Sequence, residues 1–200
     1  LLIDIDMRYE ESVKERKHSI EHIIDLINII SYKLSEIYDI NNAEIPVYVM
    51  QKDKVNVTNN KTKDGVHIIF GIKCHKAIQM LLRDSIIDDV RESWDDLPLT
   101  NDTEDLIDEA VVKGSVNWQV YGSRKPGNEA YTNYYTLIYD CEEKEWTTKT
   151  NNLSKFQVKE NLFKLSARYN NHVSFDLKEN YIEQFETYKN KLFNKEKKFT

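Results

Sequence analysis

Leu1-Leu2-Ile3-Asp4-Ile5-Asp6 alternates apolar and acidic side chains from Ile3 onward, and that alternation decides how the chain is read. Successive side chains of a strand point to opposite faces, so Ile3 and Ile5 face a core while Asp4 and Asp6 share the other surface. Two neighbouring carboxylates repel, and one is driven toward its protonated form unless a cation neutralises the pair. Hard divalent ions such as Mg²⁺ and Mn²⁺ take oxygen ligands of this kind and leave coordination positions open for substrate phosphates. A lone Asp-x-Asp also suits a plain solvated strand end, so by itself it does not choose between metal chemistry and surface.

Around this strand the pattern is α/β. Residues 10–38 read as a long amphipathic helix, because Ile20, Ile23, Ile24, Ile27, Ile30, Leu34 and Ile37 recur at three- and four-residue steps. Asn41-Asn42 ends it as a loop, and residues 45–50 form a strand with Pro46 near its start, where proline is tolerated. Residues 52–63 are polar and read as a loop, 66–72 as a strand and 75–94 as a helix. An acidic connection over 95–105 leads through 106–112 to a β-rich stretch at 116–121. A turn at Lys125-Pro126-Gly127 and a tyrosine-rich strand over 131–140 follow. A short strand at 146–148 and a helical region from Phe156 complete the pattern. Residues 176–198 read as a closing helix with Tyr181, Phe185, Tyr188 and Leu192 on one face. Residues 1–175 are expected to form one core and 176–200 to lead toward a further domain.

Composition excludes several classes. Two hundred residues with 40% hydrophobic content, five glycines and three prolines describe a folded core, not a fibrous or disordered chain. A net charge of −6 argues against coating nucleic acid by bulk charge, although a locally basic groove is compatible with it. Cys74 and Cys141 are the only cysteines and stand far apart, so neither a zinc site nor a disulfide framework is implied. No apolar run reaches the roughly 18 to 20 residues of a membrane span, and no membrane partner is expected. The chain opens without methionine inside a strand, as expected of a piece cut from a longer polypeptide.

Two further clusters carry chemistry. In Lys63-Asp64-Gly65-Val66-His67-Ile68-Ile69-Phe70, alternation puts Lys63, Gly65 and His67 on one face and Val66, Ile68 and Phe70 on the other. A cation, a bare backbone and an imidazole in a row outline an anion site. A tight turn at Asp64-Gly65 leading into an edge strand fits the same residues. The third cluster runs from Leu106-Ile107-Asp108-Glu109 to Asn117-Trp118-Gln119-Val120-Tyr121-Gly122-Ser123-Arg124-Lys125-Pro126. Its acid and its basic turn could meet across a hairpin, with Asp105 and Glu109 as competing acids.

Taken together, in this order, the three blocks resemble the archaeo-eukaryotic primase (AEP) superfamily: an apolar run ending in Asp-x-Asp, a small-x-His strand, then an apolar-acid step. The likeness is closest to the primase domain ahead of the helicase in large nucleocytoplasmic DNA viruses and to eukaryotic primase-polymerases. There the third acid precedes an asparagine-aromatic step and a basic turn, as in Asn117-Trp118 and Tyr121-Gly122-Ser123-Arg124-Lys125-Pro126. The resemblance implies an α/β (α+β) core with an RRM-like, mainly antiparallel sheet flanked by helices. It implies template-directed nucleotidyl transfer by two Mg²⁺ or Mn²⁺ ions on Asp4, Asp6 and Asp108. Lys63, Gly65, His67, Ser123, Arg124 and Lys125 would contact the nucleoside triphosphate, and Trp118, Tyr121, Tyr131, Tyr134 and Tyr135 are candidates to stack on template, although aromatics in strands also suit sheet packing. It also implies single-stranded DNA as template, NTP or dNTP as substrate, a fused helicase, and a replication compartment in cytoplasm or nucleus.

The sequence departs from the family pattern in two places. The small residue of the second motif is often serine, and Gly65 brings no hydroxyl. Val116 and Gln119 stand where primase-polymerases carry arginines, which shifts that phosphate contact toward Arg124 or Lys73. Two rival readings use the same acids: a binding lobe of a replication protein without catalysis, and a metal-dependent phosphodiesterase.

Overall fold

β1 (Leu2–Tyr9) is buried at every second residue, from Ile3 to Tyr9, as its alternation requires. The computed structural model describes residues 1–40, 43–58, 60–140, 145–149, 159 and 162–196. After β1 come α1 (Ile20–Ile37), β2 (Glu44–Lys52), β3 (Asn56–Val57), β4 (Thr62–Phe70), α2 (Lys76–Ser93) and α3 (Glu109–Lys113). β5 (Tyr131–Asp140), β6 (Glu145–Lys149) and α4 (Ile182–Glu196) follow. The sheet runs β1-β4-β2-β5-β6, with β3 also on β4, and all named pairings are antiparallel.

A short extra pairing completes the architecture. The Asp6 N–H donates to the Leu106 carbonyl (3.1 Å) and the Asp108 N–H to the Asp4 carbonyl (2.9 Å), around an Ile5–Ile107 bridge. Residues 106–108 therefore lie along the outer edge of β1. β1–α1–β2 and β4–α2–(106–108) are then two interleaved β–α–β units, each with a strand of the other between its own two strands. Both helices lie on one face of the sheet, where α1 packs on α2, as right-handed crossovers require. Ile3, Ile5 and Met7 are buried there with Ile23, Ile27 and Ile30 of α1 and Leu82 and Ile86 of α2. Each such side chain contributes about 1.5–3 kcal/mol. Among the described residues the opposite face carries a small cluster of Tyr48, Met50, Ile69, Tyr131 and Leu165, with Trp118 and Tyr121 packed against it. The expected α/β class with an RRM-like antiparallel sheet and flanking helices is thus observed. No helix of the described residues is long and apolar enough to cross a membrane.

Several boundaries differ from the sequence reading. α1 starts at Ile20 rather than Glu10, with the Ser19 N–H donating to His22 Nδ1 (3.1 Å) at its cap. Between Glu10 and Ser19 only Val13 is apolar, so a helix there would have no face to bury. The segment is instead a strap tied down by a buried charge. Arg16 donates from Nε to Asp64 Oδ2 (2.8 Å), from Nη2 to Asp64 Oδ1 (3.0 Å) and to the Lys52 carbonyl (2.5 Å). Residues 52–63, read as a loop, contain β3 and the start of β4. Residues 116–121 form no strand: Trp118 stacks on His67 and the Gln119 carbonyl meets His67 Nδ1, so the segment lies over the sheet face instead of along an edge. The closing helix begins at Ile182, after a 3₁₀ turn at Glu179–Tyr181, and not at Asp176. Residues 162–168 form turns, not helix, and the readings at Asn41-Asn42, Phe156, Cys141 and Lys198 lie outside the described residues.

The strap makes stability acid-sensitive. Burial pulls the Asp64 carboxyl upward, but the hydrogen bonds and charges of His18 and Arg16 overrule it and hold the carboxyl below its ordinary value. A depressed folded-state pKa means that this stabilisation is fully present above the unfolded-chain value of about 3.9. It is lost as pH falls through the folded value. Urea midpoints should therefore drop steeply below about pH 4 in the native chain and less steeply in Asp64→Asn. Parallel slopes for the two proteins would contradict this assignment.

Candidate functional site

The register of the sheet brings the acids and the basic residues together. Asp4 pairs with His67, Asp6 with Gly65 and Arg8 with Lys63 across β1 and β4. Residues 106–108 set Asp108 beside Asp4 on the outer edge. One row across the helix-free face therefore reads Asp108, Asp4, His67 and Met50. Directly opposed side chains lie about 4.5–5.5 Å apart at Cβ, close enough to act on one ligand. A cavity of about 280 Å³ opens on this face, lined by Asp4, Asp6 and Asp108 and by Lys63, Gly65, His67 and Lys125. It adjoins a larger, shallow cleft of about 660 Å³ that shares Asp6 and Asp108 and adds Arg8, Arg83 and Glu104.

Lys125 reaches the cavity because of its turn. The Asn128 N–H donates to the Lys125 carbonyl (3.0 Å), with Pro126 and Gly127 as the central residues. Gly127 has φ of 78°, which a residue with a side chain adopts at a cost and which a type II turn requires. The acid and the basic turn meet, but not across a hairpin: 106–108 joins β1, and residues 119–131 fold back over the open face.

His67 is the most constrained group of the site. It is 2% exposed, with its ring between Tyr131 (centroids 3.9 Å apart, planes at 21°) and Trp118 (4.4 Å, 33°). Nε2 lies 3.3 Å from Asp4 Oδ1, and Nδ1 lies 3.1 Å from the Gln119 carbonyl. It faces the acids and not the helix-covered core. Asp6 Oδ2 accepts from Arg8 Nε and Nη2, both at 3.2 Å, and Asp108 Oδ1 accepts from the Ala110 N–H at 2.7 Å as the cap of α3.

Hard carboxylate oxygens are the right donor type for Mg²⁺ or Mn²⁺. Each acid spends one oxygen on the partner just named, and among the described residues no three His, Cys, Asp or Glu side chains are gathered closely enough to hold an ion as they stand. The donor chemistry fits a divalent cation, and the carboxylates must turn toward it.

Some residues singled out by the sequence are not brought to the cavity. The Ser123 hydroxyl donates to the Val120 carbonyl (2.6 Å), and Arg124 is exposed. Neither lines the cavity, and neither does Lys73. Trp118 and Tyr121 are half-buried packing partners, not an open stacking platform, and the Trp118 indole N–H is buried without a hydrogen-bond partner among the described residues. The side chains of Tyr134 and Tyr135 lie outside the described residues. Conversely, Lys52 and Asn128 line the cavity without having been signalled by any motif, and Tyr131, expected only as a candidate for stacking on template, lines it too. Lys52 opens a stretch that reads as a polar loop and Tyr131 a tyrosine-rich strand, so local pattern gave neither a place in the cavity.

Residues 1–137 match the family model described as the C962R protein N-terminal AEP domain, and the chain belongs to that family. It is a primase-type domain, as the motif order implied. The chain is also 25% identical over 138 residues to a protein of Acanthamoeba polyphaga mimivirus whose name describes it as a "putative helicase". The match covers 68% of this chain and 14% of that relative's length.

Proposed function

We propose that this domain is the catalytic core of a DNA primase-polymerase, making primers on single-stranded DNA from nucleoside triphosphates within a viral helicase-primase. The observation that carries the reading is the row Asp108, Asp4, His67, with Lys63 and Lys125 across the same cavity. Two divalent ions would supply activation of the attacking 3′-hydroxyl and charge neutralisation at the α-phosphorus. Asp4, Asp6 and Asp108 would hold them. Lys63 and Lys125 balance the triphosphate charge, and the Gly65 backbone permits close approach. His67 Nε2 exchanges Asp4 for a phosphate oxygen when nucleotide is bound, its ring kept in place by Trp118 and Tyr131. Gln119 contributes by its carbonyl, which orients Nδ1. The match to a far longer mimivirus protein supports a setting in a replication protein with a fused helicase, acting in the host's replication compartment.

The test is priming on single-stranded DNA with labelled nucleotides, with and without manganese, alongside calorimetric titration of nucleoside triphosphate. Manganese-dependent nucleotide binding and labelled primers are expected. A folded domain that binds single strands but shows no metal-dependent nucleotide affinity would instead be a binding lobe, and the proposal would fall.

A further inference from the structure

We propose that Tyr131 and Lys52 complete the triphosphate-binding wall, the Tyr131 hydroxyl donating to a phosphate oxygen from the space that a side chain at position 65 would otherwise fill. This rests on the nucleotide-binding reading above and adds residues outside all three motifs.

Glycine at 65 and tyrosine at 131 are geometrically coupled. A Cβ at position 65 would fall 2.8 Å from the Tyr131 hydroxyl oxygen and 3.6 Å from the Ile5 carbonyl. The first distance is shorter than real contacts allow, so the bare backbone is what lets the hydroxyl in. Tyr131 is 4% exposed, and three features hold it in place. Its ring stacks on His67, the Gly122 N–H donates to its carbonyl (2.8 Å), and its own N–H donates to the Ser123 carbonyl (3.2 Å). The same two backbone links tie Tyr131 to the turn that presents Lys125. Burial, with Asp4, Asp6 and Asp64 nearby, pushes the phenol far above its ordinary pKa, so it keeps its proton and offers a donor.

Lys52 stands on the other side of that ring, with Nζ 5.0 Å from its centroid. The pairing of β2 with β5 shifts register between Gln51 and Lys52, an irregularity of the kind that re-aims a side chain. Burial, and next the charge of Lys125, lower the Lys52 ammonium's pKa against the opposing pull of Asp6, Asp64 and Asp4. Two ammonium groups that feel each other across one cavity are both stabilised by a shared polyanion. A triphosphate beside a histidine and a phenol donor has that chemistry.

The test is calorimetry with manganese, using a deoxynucleoside triphosphate, its monophosphate and an unphosphorylated single-stranded oligonucleotide as probes. Tyr131→Phe and Lys52→Met should each weaken triphosphate binding about tenfold, with monophosphate and oligonucleotide binding changed by no more than about twofold. Gly65→Ser alone should also weaken it, because its Cβ meets the hydroxyl. Adding Gly65→Ser to Tyr131→Phe should restore triphosphate affinity, since the serine hydroxyl then occupies the vacated space. A role in packing alone predicts no such rescue. Unchanged triphosphate affinity in folded Tyr131→Phe, or a loss confined to the oligonucleotide, overturns this inference and leaves the primase reading standing. Absence of triphosphate binding by the native domain overturns both.

Discussion

Asp4→Ala is expected to abolish primer synthesis and to leave the domain folded. Asp4 stands at the centre of the site, between Asp108 on the edge segment and His67 on β4, with Oδ1 3.3 Å from His67 Nε2. Its loss takes an oxygen ligand from the proposed cations just where negative charge grows during nucleotidyl transfer. A drop of about a thousandfold or more is expected, corresponding to about 4 kcal/mol of transition-state stabilisation. The fold survives because the Asp4 side chain lies on the helix-free face and its loss also relieves repulsion from Asp6 and Asp108. Asp4→Asn separates charge from shape: it keeps an oxygen for His67 and should be as inactive as alanine. Circular dichroism and a thermal melt, run beside the priming assay, check folding. Full activity in a folded Asp4→Ala/Asp6→Ala double variant would refute the assignment of both acids.

Arg16→Met should destabilise the domain by about 3 kcal/mol, near the lower end expected when one partner of a buried ion pair is removed. The Asp64 side chain is 0% exposed, and Arg16 supplies two hydrogen bonds to its carboxylate. Methionine keeps much of the aliphatic stem, so the loss reports on the guanidinium. With a slope of about 2 kcal/mol/M, the urea midpoint falls by about 1.5 M. Arg16→Met/Asp64→Asn should cost less than Arg16→Met alone, because no uncompensated buried charge remains. An unchanged midpoint in Arg16→Met would show that His18, 3.2 Å from the same carboxylate, suffices alone. Asp64 lies between Lys63 and Gly65, so loosening the strap should also blur the cavity wall and weaken nucleotide binding.

Much of the site was legible before any coordinates. Ile3, Asp4, Ile5 and Asp6 state their own division between core and surface, because strand alternation belongs to neighbouring residues and needs no partner. The same holds for the Lys63, Gly65, His67 row, for the isoleucine stripe of α1, and for the Pro126-Gly127 turn, where φ preferences are local. The order of the three motifs sufficed for the family.

Whatever depends on which segment lies beside which could not be read in that way. That Asp4 adjoins both His67 and Asp108 follows from two long-range pairings, β1 with β4 and β1 with residues 106–108. The β-rich composition of 116–121 did not make a strand, because Trp118 and Gln119 were drawn onto His67 over the sheet face instead of along an edge. Arg16 left the expected helix because a carboxylate buried 48 residues later required a cation, and Ser123 and Arg124 stayed outside the cavity while Lys52 and Tyr131 entered it. Direction, period and turn angles are set by a few adjacent residues and were determined by the sequence alone. Register, edge occupancy and the pairing of buried charge are properties of the whole packed chain, and only the tertiary structure decided them.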